Sequence, residues 1–528
     1  MSPVDKLKLK NISLILVLLV LSFFPFLPGL RAPFFYDDHN TIVLNPAVRA
    51  PESYWDFFTK PETFSSDRAR MFRPLTMLSL ALSWRVFEER MLGWRMLGLL
   101  THLLCVVLVY VLIQALGGSR FLAFVVALFF GIHPSRVSAV IYLSARSELF
   151  ASCFYLLSFL LFLWSMTKRI KTQEIFLGLS SLICFWLGLL SKDIAITLPL
   201  VLTLERAIFR RTDKKSIYWL LVFWANAGIY FLIRKILSVY SFFPEARPRP
   251  VLENLLIQAR MIVYYLRWLI FPLHPSFEIN FSPAGGFELG LSIIFLLAMV
   301  GSGIYLSTKY RSRLGFFVVS FFIILSPSSS LIPLVVEGNI IRAYLAGITV
   351  FLLLGEFISR IYFWGFKKLS LTFGILIIAC FSTLSLNWAS KWQTPTKLWR
   401  ETVKNFPDHS RAHNNLGLLL ERAGNFEQAE REYYLALKAD PKNASALGNY
   451  ARRLLANGEF SRSELYFIKS LQLEPFNCIT RINYSQLLIT TNRLEEAKEL
   501  LLEVDFCPGY EPELENQRQR VKTLLSVP

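Results

Sequence analysis

Apolar runs of roughly 20 residues, each long enough to cross about 30 Å of hydrocarbon as a helix, recur from Asn11 to Trp388 with short polar interruptions. Lipid offers no partner to a bare N–H or C=O, so such runs are read as spanning helices. The first, NISLILVLLVLSFFPFLPGL, follows Lys6, Lys8 and Lys10 as a secretory leader would. Arg31 and Phe-Phe-Tyr come after it without a small-residue cleavage pattern, and it reads as a retained first span.

The pattern changes after Trp388. From Lys391 the chain is polar with a helical period, and Pro407, Pro441 and Pro475 recur 34 residues apart, the period of tetratricopeptide repeats. Leu416, Gly417, Gly424, Ala429, Tyr433, Ala436 and Pro441 fill one unit; Tyr450, Ala451, Gly458, Phe467 and Pro475 fill the next. A third, Cys478 to about Gly509, keeps Tyr484, Leu488 and Ala497. Small residues must recur in phase for paired helices to stack. The expected organisation is all-α: a polytopic membrane domain over 1–390, a connecting helix over 391–409, and three repeats with a capping helix over 410–528.

Charge adds a direction. Basic clusters occur at Arg120, at Lys168, Arg169 and Lys171, at Arg210, Arg211, Lys214 and Lys215, at Lys309, Arg311 and Arg313, and at Lys367 and Lys368. All fall on the side of the amino terminus, taken as cytoplasmic, if Arg73 to Phe87 and Asn254 to Pro272 lie at the outer face without crossing. That gives about eleven spans and puts the repeats on the side opposite the amino terminus, with Asp37 and Asp38. Compact loops and a short repeat array favour a bacterial inner membrane over the endoplasmic reticulum.

Composition agrees with a membrane protein: of 528 residues 54% are hydrophobic and 18% charged, with a mean hydropathy of +0.44. The net charge of +18 lies mostly in short loops, with no basic helix or aromatic-interleaved face that would read as a nucleic-acid site. The six cysteines form no Cys-x-x-Cys pair, so neither a zinc site nor a disulfide framework is expected.

Ionisable groups within or beside spans are costly and are functional candidates by default. In this topology Asp37, Asp38, Arg73, His133, Arg136, Arg146, Glu148, Lys192, Asp193 and Arg342, with Glu337 just upstream, converge on the outer face. Singly each has a plain structural reading: a helix cap at Asp37 and Asp38, an interfacial anchor at Arg73, a turn at His133-Pro134, a snorkelling Lys192, an ordinary loop from Glu337 to Arg342. Together they read as the lining of one hydrated cavity, with carboxylates for a hydroxyl and guanidinium and ammonium groups for a phosphate.

In order along the chain, YDD, RPLT, HP with R-S-E-L-F, SKD and R-x-Y-L, followed by the repeats, resemble the transmembrane and tetratricopeptide-repeat-containing O-mannosyltransferases of the GT-C glycosyltransferase superfamily. The resemblance covers nearly the whole chain. It implies an inverting enzyme that moves a sugar, typically mannose, from a polyprenyl-phosphate donor to Ser or Thr of a protein, with Asp37 and Asp38 as the catalytic acidic pair. The chain departs from the pattern at Ser138, Glu148, Asp193 and Ile341-Arg342, where Glu, Asp, Glu and Glu-Arg are expected; these departures bear on sugar and acceptor choice.

On this reading Asp38, by a slight preference, or Asp37 takes the proton of the acceptor hydroxyl. Arg146, Lys192, Arg342 and Arg73 hold the donor phosphate, with His133, Glu148, Asp193 and Glu337 as supporting polar groups. A divalent ion at the acidic pair has no evident further ligand cluster, which leaves metal dependence open. The repeats present the acceptor protein. The competing readings are a lipid-sugar-dependent transferase acting on a glycan or lipid, and a non-catalytic membrane scaffold whose repeats assemble partners.

Overall fold

A computed structural model describes residues 3–66, 71–209, 211–239, 249–281, 286–329, 333–334, 336–503, 507 and 510–526. Arg210 of the third basic cluster and Gly509 at the end of the third repeat lie outside them. The regular elements of the described residues are helices. They fall into two compact units, Met1–Pro275 with Phe281–Gln393, and Ser276–Asn280 with Thr394–Pro528.

In the first unit seven helical segments are long and apolar enough to span: Ile12–Arg31, Met91–Ala115, Leu143–Thr167, Lys171–Leu189, Lys214–Ile236, Phe287–Tyr310 and Lys367–Lys391. Phe287–Tyr310 turns Ile294, Phe295 and Leu297 outward, as a helix bathed in acyl chains does. Four shorter helices, Arg120–Ile132, Leu198–Ile208, Arg313–Leu325 and Ile348–Phe363, lie in further apolar stretches of the sequence; if Arg120–Ile132 and the helix Ser135–Ile141 after it count as one bent span, the described residues give up to eight.

The four are short because polar breaks cut the runs. Pro134 holds His133 in an extended conformation, and the chain bends by 61° into the helix Ser135–Ile141. Lys192 is likewise extended between Lys171–Leu189 and the 3-10 turn Asp193–Thr197. Such breaks within apolar runs leave backbone and polar side chains to be satisfied inside the protein, and the candidate site is built from them.

The two charged segments form the helices Pro74–Phe87 and Val251–Ile270, neither of which is among the seven. Gly98 of Met91–Ala115 lets that helix touch the carboxyl end of Ser135–Ile141: a Cβ there would stand 2.7 Å from the Val140 carbonyl oxygen.

The second unit carries the helix Pro395–Asn405, then the pairs Ser410–Arg422 with Phe426–Ala439, Ala444–Ala456 with Phe460–Leu473, and Cys478–Thr490 with Leu494–Leu502, and last Glu511–Leu525. Ala429, Tyr433, Ala436, Ala451, Phe467 and Ala497 are fully buried between the helices. Between the helices of each pair the chain needs a left-handed residue, supplied by Gly424 (φ 78°), Gly458 (φ 80°) and, in the third pair, Asn492 (φ 61°). Asn is among the few other residues that enter this region readily, so the turn survives where the glycine pattern fails.

Phe277 joins this unit, its ring edge-on to Trp399 at 5.4 Å and its N–H donating to Thr402 Oγ1 at 3.3 Å. The reading of the cysteines is corrected here. Cys478 and Cys507, 29 residues apart with Cα atoms at 5.7 Å, are disulfide-bonded. The pairing has no short-spacing signature because the fold, and not the local chain, brings the two sulfurs together.

Candidate active site

The loop after the first span turns sharply at Tyr36, which adopts φ 51°. The two aspartates that follow face opposite ways. Asp38 is fully buried. Its Oδ1 accepts from the Ser144 N–H (2.8 Å) and Oγ (2.7 Å), and its Oδ2 from the Phe35 N–H (3.1 Å). Burial pushes the Asp38 carboxyl above its ordinary value, against the opposing pull of the Arg95 charge and of those hydrogen bonds.

Asp37 is exposed, and its Oδ2 accepts from the Tyr142 hydroxyl at 2.8 Å. Its carbonyl accepts from Thr41 Oγ1 (2.8 Å), which also lies 3.1 Å from Ser144 Oγ. Asp38, preferred as the base on sequence, is thus enclosed by donors and pins the loop, while Asp37 stands exposed beside Tyr142. Both Asp38 oxygens are engaged by N–H or O–H groups. Among the described residues no three His, Cys, Asp or Glu side chains converge as metal ligands.

Tyr142 and Ser144 begin a short segment that continues through the 3-10 turn Leu143–Ala145 into the first turn of Arg146–Thr167. Its far end, about 10 Å along at helical rise, carries Ser147 and Glu148. Glu148 meets a cavity of about 120 Å³ lined also by Arg73, Lys192, Asp193 and Arg342, with Phe72, Ser328 and neighbours.

Each cation arrives on a chain break. Arg73 precedes Pro74, which opens its helix at the first position where a missing N–H costs nothing. That helix is docked by the Leu75 N–H on the Leu190 carbonyl (3.1 Å) and Thr76 Oγ1 on the Ser191 carbonyl (3.2 Å). Arg342 sits on the 3-10 turn Ile340–Ala343, capped by the Asn339 side chain on the Ile341 N–H at 3.0 Å.

Lys192 Nζ donates to Glu148 Oε2 at 2.6 Å. Asp193 pairs with Arg234 and accepts from the Tyr230 hydroxyl at 2.9 Å. Arg342 binds the carbonyls of Ser328 (3.1 Å), Val336 (2.7 Å) and Glu337 (2.9 Å). Arg73 reaches Ser147 Oγ at 3.4 Å. Three cations, Arg73, Lys192 and Arg342, thus line the cavity with two carboxylates, Glu148 and Asp193, and an anion would neutralise the excess. Arg73 Nε and Glu148 Oε1 are buried without a partner among the described residues, which leaves both a donor and an acceptor unmet at this cavity. Burial depresses the pKa of Arg73 and of Lys192, opposed most by Asp193 and Glu148 respectively.

Four of the expected participants stand elsewhere. Arg146 is buried in the core, donating to the Ser79 carbonyl (3.2 Å) and Ser83 Oγ (2.9 Å), with its guanidinium 5.2 Å over the Trp94 ring. It does not line the cavity, because the side chain leaves the helix on the face turned away from Glu148. His133 is fully buried against Trp268, Phe351 and Phe381. Its Nδ1 accepts from the Ser135 N–H at 3.1 Å, which makes it a turn residue. Glu337 contacts Arg249 (3.4 Å) and accepts from the Phe281 N–H (3.1 Å), and its carbonyl accepts from Arg342 (2.9 Å). Arg136, too, lies in the core, bonded to the Tyr344 carbonyl and stacked over Phe130. Ser138, one of the departures, accepts from the Trp388 indole at 3.1 Å.

Tyr142, Ser144, Arg95, Tyr230 and Arg234 belong to the site and were not picked from the sequence. Arg95 and Arg234 carried a signal, a guanidinium within an apolar helix. The hydroxyl residues carried none, since Ser and Tyr are ordinary in spans.

The fold and site define an integral membrane protein with a cationic interior cavity and a tetratricopeptide-repeat unit. A family model described as "Tetratricopeptide repeat" matches residues 397–444. The Caenorhabditis elegans protein O-mannosyl-transferase F38B6.6 is 23% identical over 470 residues, 83% of this chain and 64% of its own length. Drosophila melanogaster protein O-mannosyl-transferase Tmtc2 is 30% identical over 37% of this chain and 22% of its own, and human TMTC2 28% identical over 36% and 24%. The resemblance to the repeat-containing O-mannosyltransferases thus extends over most of the chain, which spans less than two thirds of the length of these relatives. Among solved structures, the Archaeoglobus fulgidus oligosaccharyltransferase in the apo form has a TM-score of 0.45 at 14% identity, over 77% of this chain and 59% of that one.

Proposed function

We propose that the protein is a glycosyltransferase that moves a sugar, mannose by its kinship, from a polyprenyl-phosphate donor to a Ser or Thr hydroxyl of a protein, with inversion. The observation that carries the reading is one short segment, Tyr142 to Glu148, with an exposed carboxylate held at one end and a cationic cavity at the other. Asp37 removes the acceptor proton as the hydroxyl attacks the anomeric carbon. Tyr142, donating to Asp37, orients the carboxylate. Arg73, Lys192 and Arg342 stabilise the charge that grows on the departing phosphate, in a site already organised for it. Attack from the Asp37 end, with the phosphate leaving toward the cavity, inverts the anomeric centre.

The repeats hold the acceptor protein and lie opposite a cytoplasmic amino terminus. The Cys478–Cys507 bridge supports that side, because disulfides persist in oxidising compartments, the bacterial periplasm and the endoplasmic reticulum lumen alike. The test uses the purified chain in detergent with radiolabelled polyprenyl-phosphate mannose and a Ser/Thr-rich protein acceptor. Label in the protein fraction, stable to mild acid that hydrolyses the lipid phosphate, is the expected result. Label only in a glycan or lipid fraction moves the reading to those acceptors, and no transfer from any lipid sugar leaves the scaffold reading.

A further inference from the structure

We infer that Arg136 is a positioning residue for the donor phosphate: from the protein core it fixes the turn that carries Arg342. The inference rests on the proposed function in taking the cationic cavity to hold a lipid phosphate. Arg342 lines that cavity from the 3-10 turn Ile340–Ala343, and Tyr344 follows it by two residues. Arg136, on the helix Ser135–Ile141, donates through Nη1 to the Tyr344 carbonyl, 208 residues away along the chain. Both side chains are fully buried.

A buried guanidinium ordinarily needs an anion beside it, and no carboxylate pairs with Arg136 among the described residues. The rings of Phe130, Tyr344 and Phe351 surround it instead, their centroids 4.6, 4.8 and 5.1 Å from Cζ. Desolvated cation–π contacts hold the charge without competing for its N–H groups. Gly347 makes the room: a Cβ there would stand 2.5 Å from Arg136 Nη2 and 2.8 Å from the Ala343 carbonyl oxygen. Nε and Nη2 meet no acceptor, so among the described residues the hydrogen bond this side chain makes is the one to the turn.

Tyr344 is held at its other end as well. The Gly131 carbonyl can only accept, so His102 donates from Nε2 (3.0 Å), and its Nδ1 accepts from the Tyr344 hydroxyl (2.7 Å). Before Arg342, the Asn339 N–H donates to the Tyr265 hydroxyl at 3.1 Å. The turn is thereby fastened on both sides of Arg342. A core arginine of plain structural role supports the whole membrane unit; one that fixes a turn changes that turn first.

The test measures binding of radiolabelled polyprenyl phosphate to the full-length protein in detergent, across a cycle of Arg136→Met and Arg342→Gln. Methionine occupies the space and strands no partner charge, and melting curves check the fold. Arg136→Met is expected to weaken binding about 5-fold and Arg342→Gln about 10-fold. The double variant also loses about 10-fold, because the first residue acts through the second. Arg136→Lys, which keeps a cation among the rings and a donor, binds within about 2-fold of the wild type. Hydrogen exchange over 339–347 rises in Arg136→Met, while that of Arg120–Ile132 stays at the wild-type rate. Should Arg136→Met fail to fold, Gly347→Ala, which crowds the guanidinium and leaves it in place, takes its position in the cycle with the same expectations. Losses that multiply in the double variant, unchanged exchange at the turn, a Lys variant no better than Met, or no lipid phosphate bound by the wild type overturns the inference. Sugar transfer by a protein whose losses multiply keeps the transferase and releases Arg136 from its site; coupled binding without transfer does the reverse.

Discussion

Replacing Asp37 and Asp38 one at a time by asparagine separates two roles that adjacency in sequence conflates. Asp37→Asn keeps an oxygen for the Tyr142 hydroxyl and stands at the surface, so the fold loses little. The base is lost, and general base catalysis contributes about 10²–10⁴-fold. The expected result is a fall in kcat of that size with an unchanged melting midpoint.

Asp38→Asn keeps one oxygen for Ser144 but turns an NH2 group toward the Phe35 N–H, two donors face to face in a dry site. An unmet buried donor costs about 1–3 kcal/mol. Arg95, fully buried and donating to the Ala32 and Pro33 carbonyls, loses the nearby charge of Asp38 as well. The unmet donor alone is enough to release the loop. Asp38→Asn is expected to lower the melting midpoint by several degrees and to open the segment around Phe35 to protease, with loss of transfer as a consequence. The assay pairs radiolabel transfer with thermal unfolding and limited proteolysis. Full transfer by Asp37→Asn, with an inactive Asp38→Asn of wild-type melting and proteolysis, would refute the assignment and make the buried carboxylate the base.

Arg342→Gln is expected to raise KM for the lipid donor by roughly 10-fold or more, the worth of a charge-assisted hydrogen bond, whereas Arg146→Gln lowers the melting midpoint and leaves the donor KM of the folded fraction unchanged. Steady-state kinetics over donor concentration, beside unfolding curves, checks both. Reduction of Cys478–Cys507, which closes a loop of 29 residues, is expected to destabilise the end of the repeat unit by about 3.6 kcal/mol on the loop-entropy estimate. Hydrogen exchange of Cys478–Thr490 with and without reductant measures it.

The architecture was legible because it is written in periods: runs of membrane length, and small residues every 34 positions. The breaks that build the site were legible too, since Pro74, Pro134 and Ser191-Lys192-Asp193 interrupt apolar runs where nothing else would. Side-chain direction was not. Asp37 and Asp38 diverge because the loop turns at Tyr36, and Arg146 leaves its helix on the side opposite Glu148, neither of which a residue count encodes. Four of the apolar runs give helices of 11 to 16 residues, because hydropathy registers greasiness and not whether the backbone stays helical through it. The disulfide was invisible for the same reason as any long-range contact.

The stretch from Tyr142 to Glu148 also sets a tolerance. It is a nearly continuous helical turn, and one residue inserted within it rotates all that follows by about 100° and advances it by about 1.5 Å. Glu148 would swing off Lys192 while Tyr142 stayed on Asp37, and the two halves of the site would fall out of phase. Substitutions along the segment change its chemistry by degrees; a change in its length uncouples the carboxylate from the cavity altogether.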